Sequence, residues 1–295
     1  MIKTLVILTG SPRGGLETWE TLDKYILEPL GADLAICFGN KFINKSNNYL
    51  YEKARYDWTF DEPENWTSYF ENNFKGEWKS FLLKGEKYGM AGGLDKYSGS
   101  GAIVSAMKNI IYKNHLEEIM KYDFIIHTRA DQYYVDYIPK LKEDLIYIPE
   151  GEDYFGICDR FIVMHKKFAK KYFNLCEFID TACIKKIEPE VIAPESVLLH
   201  HLINEKLDNY VERVNRFCFT TALKEEETRW RVAKYKLYFL NLLIKYPDEF
   251  VSSMENILNK KGLYKVLLSN FLLTTNYYYI VLRRRLGKIK NKILR

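Results

Sequence analysis

The chain has 295 residues, 47% hydrophobic and 28% charged, which excludes a low-complexity or disordered polymer and suffices for one large domain, or one with a smaller appendage. Its net charge of +5 is unevenly placed: no acidic residue follows Glu255, and eight basic residues follow Gly262, so residues 1–261 carry +5 less 8, or −3. A mildly acidic body argues against a nucleic-acid groove, and the basic tail points to an anionic surface met at one end. Cys37, Cys158, Cys176, Cys183 and Cys218 form no CxxC, and no long apolar h-region follows Met1. Reduced thiols in an unexported, cytoplasmic protein are the simplest reading.

Thr4–Leu8 (TLVIL) reads as a buried strand running into the Gly-rich turn Thr9-Gly10-Ser11-Pro12-Arg13-Gly14-Gly15. Glu17–Leu30 has helical character and stops at Gly31, and Ala32–Phe38 is a second buried strand. This β–loop–α–β opening predicts an α/β fold with a doubly wound, mostly parallel sheet. Residues 40–100 are polar and irregular, read as long loops with one or two helices. Ser100–Met120 has helical spacing and leads into a central strand at Tyr122–Thr128, followed at once by Arg129-Ala130-Asp131-Gln132-Tyr133-Tyr134. Further strands are expected at Leu145–Ile148 and Arg160–Val163, and helices at His165–Phe173 and from Pro194. Everything from Glu225 onward reads as helix, which sets the division at 1–224 and 225–295.

Four constellations carry chemistry. In the turn Gly10–Gly15, backbone N–H groups and the following helix N-terminus suit a diphosphate, with Arg13 as a bidentate partner; the alternative is a turn that merely joins strand to helix. It is neither a dehydrogenase nor a P-loop fingerprint. Asp131 lies just past the carboxyl end of a central strand, where open α/β sheets place their ligand crevice, and could hold a divalent cation. Arg129 could add a fixed charge on the same phosphates; the alternative is a surface ion pair. Asp159 could take a proton from an acceptor hydroxyl, a contribution of about 10²–10⁴ in rate, or could simply start a strand. Glu195, in the first turn of a helix opened by Pro194, could be that base or hold the acceptor, or could owe its place to the helix dipole. His200 and His201 lie about 100° apart on that helix, so at most one can face the site. No Cys/His cluster suggests zinc.

In the tail, Leu263–Leu282 is apolar and aromatic but interrupted by Lys265, Asn270, Thr274, Thr275 and Asn276. It is too polar for a confident span and fits an interfacial helix followed by an Arg/Lys cluster, or a helix packed on the domain with a basic end.

The segment Tyr122–Gln132 (YDFIIHTRADQ), the opening TGSPRGGLETWETL and Ala193-Pro194-Glu195-Ser196 resemble bacterial surface-glycan glycosyltransferases, WavE-type lipopolysaccharide synthesis proteins among them, over residues 4–205. The resemblance implies a GT-A-like fold and a nucleotide-sugar donor bound at Thr9, Gly10, Ser11, Arg13, Arg129 and Asp131. It implies Asp131 as the ligand of Mn²⁺ or Mg²⁺. GT-A enzymes usually carry Asp-x-Asp where this chain has Arg129-Ala130-Asp131, so metal dependence is open. The expected reaction is sugar transfer to lipopolysaccharide, lipooligosaccharide or capsular glycan, with Asp159 or Glu195 as base if the anomeric centre inverts. The tail would rest on the anionic inner face of the cytoplasmic membrane. A sulfotransferase using an adenosine bisphosphate-type donor and a non-catalytic scaffold of glycan assembly are the alternatives.

Overall fold

Strand β1 spans Thr4–Gly10, and all of its residues but the last are buried, as the unbroken apolar run requires of a central strand. The helical stretch after it runs from Gly15 to Leu30, with wider turns at Asp23–Leu27, and ends where Gly31 takes a left-handed φ of 53°. The computed structural model describes residues 2–42, 44–46, 48–151, 153–181, 187–188, 191–228, 230 and 235–293. Cys183 lies outside them. The chain forms two units interleaved along the sequence. The first comprises Met1–Pro12, Leu27–Ala130 and Pro139–Val214; the second comprises Arg13–Ile26, Asp131–Ile138 and Asn215–Arg295.

The first unit is an α/β fold on a mixed, mostly parallel seven-stranded sheet. Its strands are β1, β2 (Asp33–Phe38), β3 (Tyr56–Asp57), β4 (Phe124–Arg129), β6 (Ile146–Pro149), β7 (Phe161–His165) and β8 (Val211–Val214), with β5 (Gln132–Tyr134) lying in the other unit. The order is β3-β2-β1-β4-β7-β6-β8. Only β7 runs against the rest, pairing antiparallel with both β4 and β6. Helices Gly101–Asn114, Lys166–Phe173, Leu175–Thr181 and Pro194–Asn204 belong to this unit, whose core is one continuous cluster from Leu5 to Leu207. Residues 40–100 hold three α-helices, Tyr49–Lys53, Trp66–Asn73 and Trp78–Lys84, more than the Asn- and Gly-rich composition suggests.

The second unit carries a four-stranded sheet in the order β10-β11-β9-β5, with β9 at Cys218–Leu223, β10 at Tyr235–Lys236 and β11 at Leu242–Ile244. These strands correct the expectation of helix throughout from Glu225; helix begins only at Pro247–Lys261 and continues through Leu263–Ser269 and Phe271–Ile293. Val266, Leu273 and Ile280 are buried among Phe250, Met254 and Ile257, and Asn276 donates to the Tyr238 carbonyl at 2.8 Å. The tail is thus part of a core on one face. A fully buried pair, Arg216 with Glu249 at 3.1 Å, sits beneath β9, and Glu249 also accepts from the Thr220 amide. Among the described residues no helix is long and apolar enough to cross a membrane.

Candidate functional site

Strand order decides where a ligand can enter the first unit. From β1 the chain builds outward to β2 and β3, then returns to place β4 on the other side of β1. The strand order reverses between β1 and β4, and in open α/β sheets ligands bind beyond the carboxyl ends of the two strands flanking such a reversal. Those ends carry the predicted residues: Thr9 is in register with Arg129, Gly10 ends β1 and Ser11 follows it. Because β7 is antiparallel, its start lies at the same edge, with Thr128 paired to Phe161. The Thr128 hydroxyl donates to the Arg160 carbonyl at 3.1 Å.

That register brings together two residues picked separately from the sequence. The buried guanidinium of Arg160 lies 3.2 Å from Glu195 and 3.8 Å from Asp159. Glu195 is delivered by the first turn of Pro194–Asn204, and its carbonyl accepts from the Ile157 amide at 3.1 Å. Gly156 makes this approach possible, since a Cβ there would stand 2.1 Å from the Glu195 carbonyl oxygen. Charge-assisted pairing with the guanidinium orients Glu195, while Asp159 stands within ion-pair reach of the same group.

Beneath this edge runs a buried polar chain. The Thr9 hydroxyl meets His127 Nε2 at 3.0 Å, and His127 Nδ1 meets the Tyr172 hydroxyl at 2.8 Å. Lys108, fully buried on Gly101–Asn114, places its ammonium 5.0 Å from the Tyr172 ring centroid. Burial lowers its pKa to about 8, against the pull of Asp159, Cys176 and Glu195. Burial, with Lys108 nearby, keeps His127 neutral. Lys108 escaped the sequence reading, although a lone lysine in the stripe Val104, Ser105, Ile111 and Tyr112 is the signal that marks it.

Arg13 and Asp131 belong to the second unit. There the Gly14 amide, read from the sequence as pointing at a phosphate, donates to the Glu226 carboxylate at 3.1 and 3.3 Å. The Leu223 amide donates to the same group at 2.6 Å. This corrects the phosphate-cradle reading at Gly14, whose φ of 97° and closeness to Thr18 demand glycine. Burial raises the Glu226 pKa, its backbone donors and Arg13 oppose the rise, and Asp131 adds to it, so Arg13, Asp131 and Glu226 share one electrostatic neighbourhood. Asp131 is buried, and its carbonyl accepts from the Thr221 amide at 2.8 Å.

Other flanking residues are structural. Tyr133 stacks on Phe219 with centroids 5.1 Å apart, and Tyr134 is buried beside Phe217. His201 is buried, donating from Nε2 to the Lys171 carbonyl at 2.9 Å, while His200 is half-buried. Cys37, Cys158, Cys176 and Cys218 are buried and in no disulfide, and burial raises the Cys37 thiol to about 12. Among the described residues no three His, Cys, Asp or Glu side chains form a metal cluster. Comparison with protein-family models and with curated proteins returns no match to this chain.

Proposed function

We propose that this protein transfers a sugar from a nucleotide-activated donor to a bacterial surface glycan, lipopolysaccharide, lipooligosaccharide or capsule, on a GT-A-like scaffold. The observation that carries this reading is the edge where β1 and β4 end: Thr9 and Arg129 stand in register at the strand reversal, and the Asp159–Arg160–Glu195 cluster lies at the same edge. Thr9, Gly10, Ser11 and Arg129 bind the diphosphate, with the guanidinium stabilising the charge that develops as the sugar leaves. If the anomeric centre inverts, Asp159 or Glu195 takes the acceptor proton; if it is retained, both position the acceptor.

Asp131, with Glu226 and Arg13 in its neighbourhood, offers the carboxylate oxygens that Mn²⁺ or Mg²⁺ prefer. The sulfotransferase alternative loses support at Gly14, because a carboxylate occupies the amide that a 5′-phosphate would need.

The tail meets the anionic inner face of the cytoplasmic membrane. Tyr264, Leu268, Phe271 and Leu282 are exposed on the helices that bury Val266, Leu273 and Ile280, and Arg283 and Arg285 follow. The test is release of nucleoside diphosphate from a panel of UDP- and GDP-sugars. Release is expected from at least one donor and is lost in Asp131→Ala with far-UV circular dichroism intact. Full turnover in that variant removes Asp131 from the reaction.

A further inference from the structure

The turn Asp153–Cys158 is held from several directions. The Asp153 carboxylate accepts from the Cys158 amide at 2.9 Å and from Arg213 Nη2 at 2.9 and 3.0 Å, and its carbonyl accepts from the Gly156 amide at 2.7 Å. Ile157 bonds to the Glu195 carbonyl. Yet this pinned turn places two consecutive aromatic residues at left-handed φ, 37° at Tyr154 and 67° at Phe155, a region that bulky L-residues seldom adopt. Phe155 nevertheless stays 57% exposed. Conformations of this kind persist where the surroundings enforce them, and they concentrate at binding sites.

Phe155 meets one ring, Tyr88, with centroids 5.4 Å apart and planes at 62°. An edge-to-face pair leaves a ring face uncovered. On the chain, that face stands four residues before Asp159, and its neighbour Gly156 abuts the backbone of Glu195. An occupant with an apolar face for the ring and hydroxyl donors for carboxylates, which accept but cannot donate, suits these neighbours.

We propose that Phe155 and Tyr88 form a stacking platform for a pyranose ring, whose C–H face lies on the aromatic pair and whose hydroxyls reach Asp159 or Glu195. Assigning that ring to the acceptor rests on the sugar-transfer reading above; the stacking itself does not.

Saturation-transfer NMR on the full chain tests it, with methyl α- and β-pyranosides of glucose, galactose and N-acetylglucosamine as probes. At least one binds, with saturation concentrated on the C–H groups of one ring face. Its affinity falls about tenfold in Phe155→Ala, in line with losing a partly buried phenyl contact, and is retained in Phe155→Trp. Phe155 is exposed, so an unchanged melting temperature accompanies the substitution. No bound glycoside, equal binding in Phe155→Ala, or a Phe155 effect seen only on phosphatidylserine vesicles overturns the platform. Parallel titration with UDP and GDP separates the two claims. Nucleotide binding without Phe155-dependent glycoside binding defeats the platform alone, and the converse defeats the sugar-transfer reading alone.

Discussion

Lys108→Met tests the buried charge beneath the site. In the fold Lys108 faces Asp159, Glu195, Cys176, Tyr172, His127 and His201, all borne by elements packed around it. Its pKa falls from 10.5 to about 8, a change of about 2.5 units, and at about 1.36 kcal/mol per unit the linked energy is at most about 3 kcal/mol. Between pH 8 and 10.5 the unfolded chain still holds the proton that the folded chain has released. Stability therefore rises with pH across that window, and below it the cost of burying the ammonium is fully present. Cys176 and Tyr172 titrate in the opposite sense, because burial raises both, but they are common to the two proteins and largely cancel in the difference. Urea unfolding between pH 7 and 10.5, followed by tryptophan fluorescence, gives the wild-type stability minus that of Lys108→Met. The difference is expected to be flat below pH 8 and then to climb by up to about 3 kcal/mol. A difference independent of pH would refute the assignment of a buried, strongly depressed lysine.

The remaining predictions concern other parts of the molecule. His201, lowered by burial to about 4, holds no proton in the fold where the unfolded chain gains one, so stability is lost as pH falls from 6.5 to 4. His201→Gln, which keeps a donor for the Lys171 carbonyl, should remove up to about 3 kcal/mol of that acid sensitivity in urea titrations. Gly156→Ala places a methyl 2.1 Å from the Glu195 carbonyl oxygen and should cost about 1–3 kcal/mol, read as a lower urea midpoint. Truncation after Lys261 would strip Val266, Leu273 and Ile280 from a core, so charge reversal is the cleaner probe of the tail. Reversing exposed Arg283 and Arg285 to glutamate should weaken sedimentation with phosphatidylserine vesicles by at least about 30-fold, at about 1 kcal/mol per basic residue. Unchanged sedimentation would dismiss the membrane contact.

Much of the first unit is legible in the sequence because burial leaves plain marks there. LVIL, LAICF and FII are unbroken apolar runs at the hearts of three strands, and Gly31 ends its helix by the left-handed turn that glycine permits. The strands of the second unit carry weaker marks. β9 is CFTTAL, whose threonines are fully buried by bonds to Glu249 and Asp131 rather than by apolar character, and β10 and β11 are two and three residues long. Such segments take their form from partners distant in sequence, which periodicity does not register. The site divides likewise. Strand-end position identifies Thr9 and Arg129, but the union of Asp159, Arg160 and Glu195 depends on β7 running antiparallel beside β4. Gly14 has a glycine for its φ and its crowding against Thr18, while its amide is taken by Glu226, more than 200 positions away.

Thermal unfolding with UDP, GDP and CDP, and with adenosine 3′,5′-bisphosphate, each with and without Mn²⁺, compares wild type with Arg129→Ala. Sugar transfer at the β1–β4 edge requires that one nucleoside diphosphate raise the wild-type melting temperature and that the rise vanish when the guanidinium is removed. A shift produced only by the bisphosphate, or one that survives in Arg129→Ala, contradicts it.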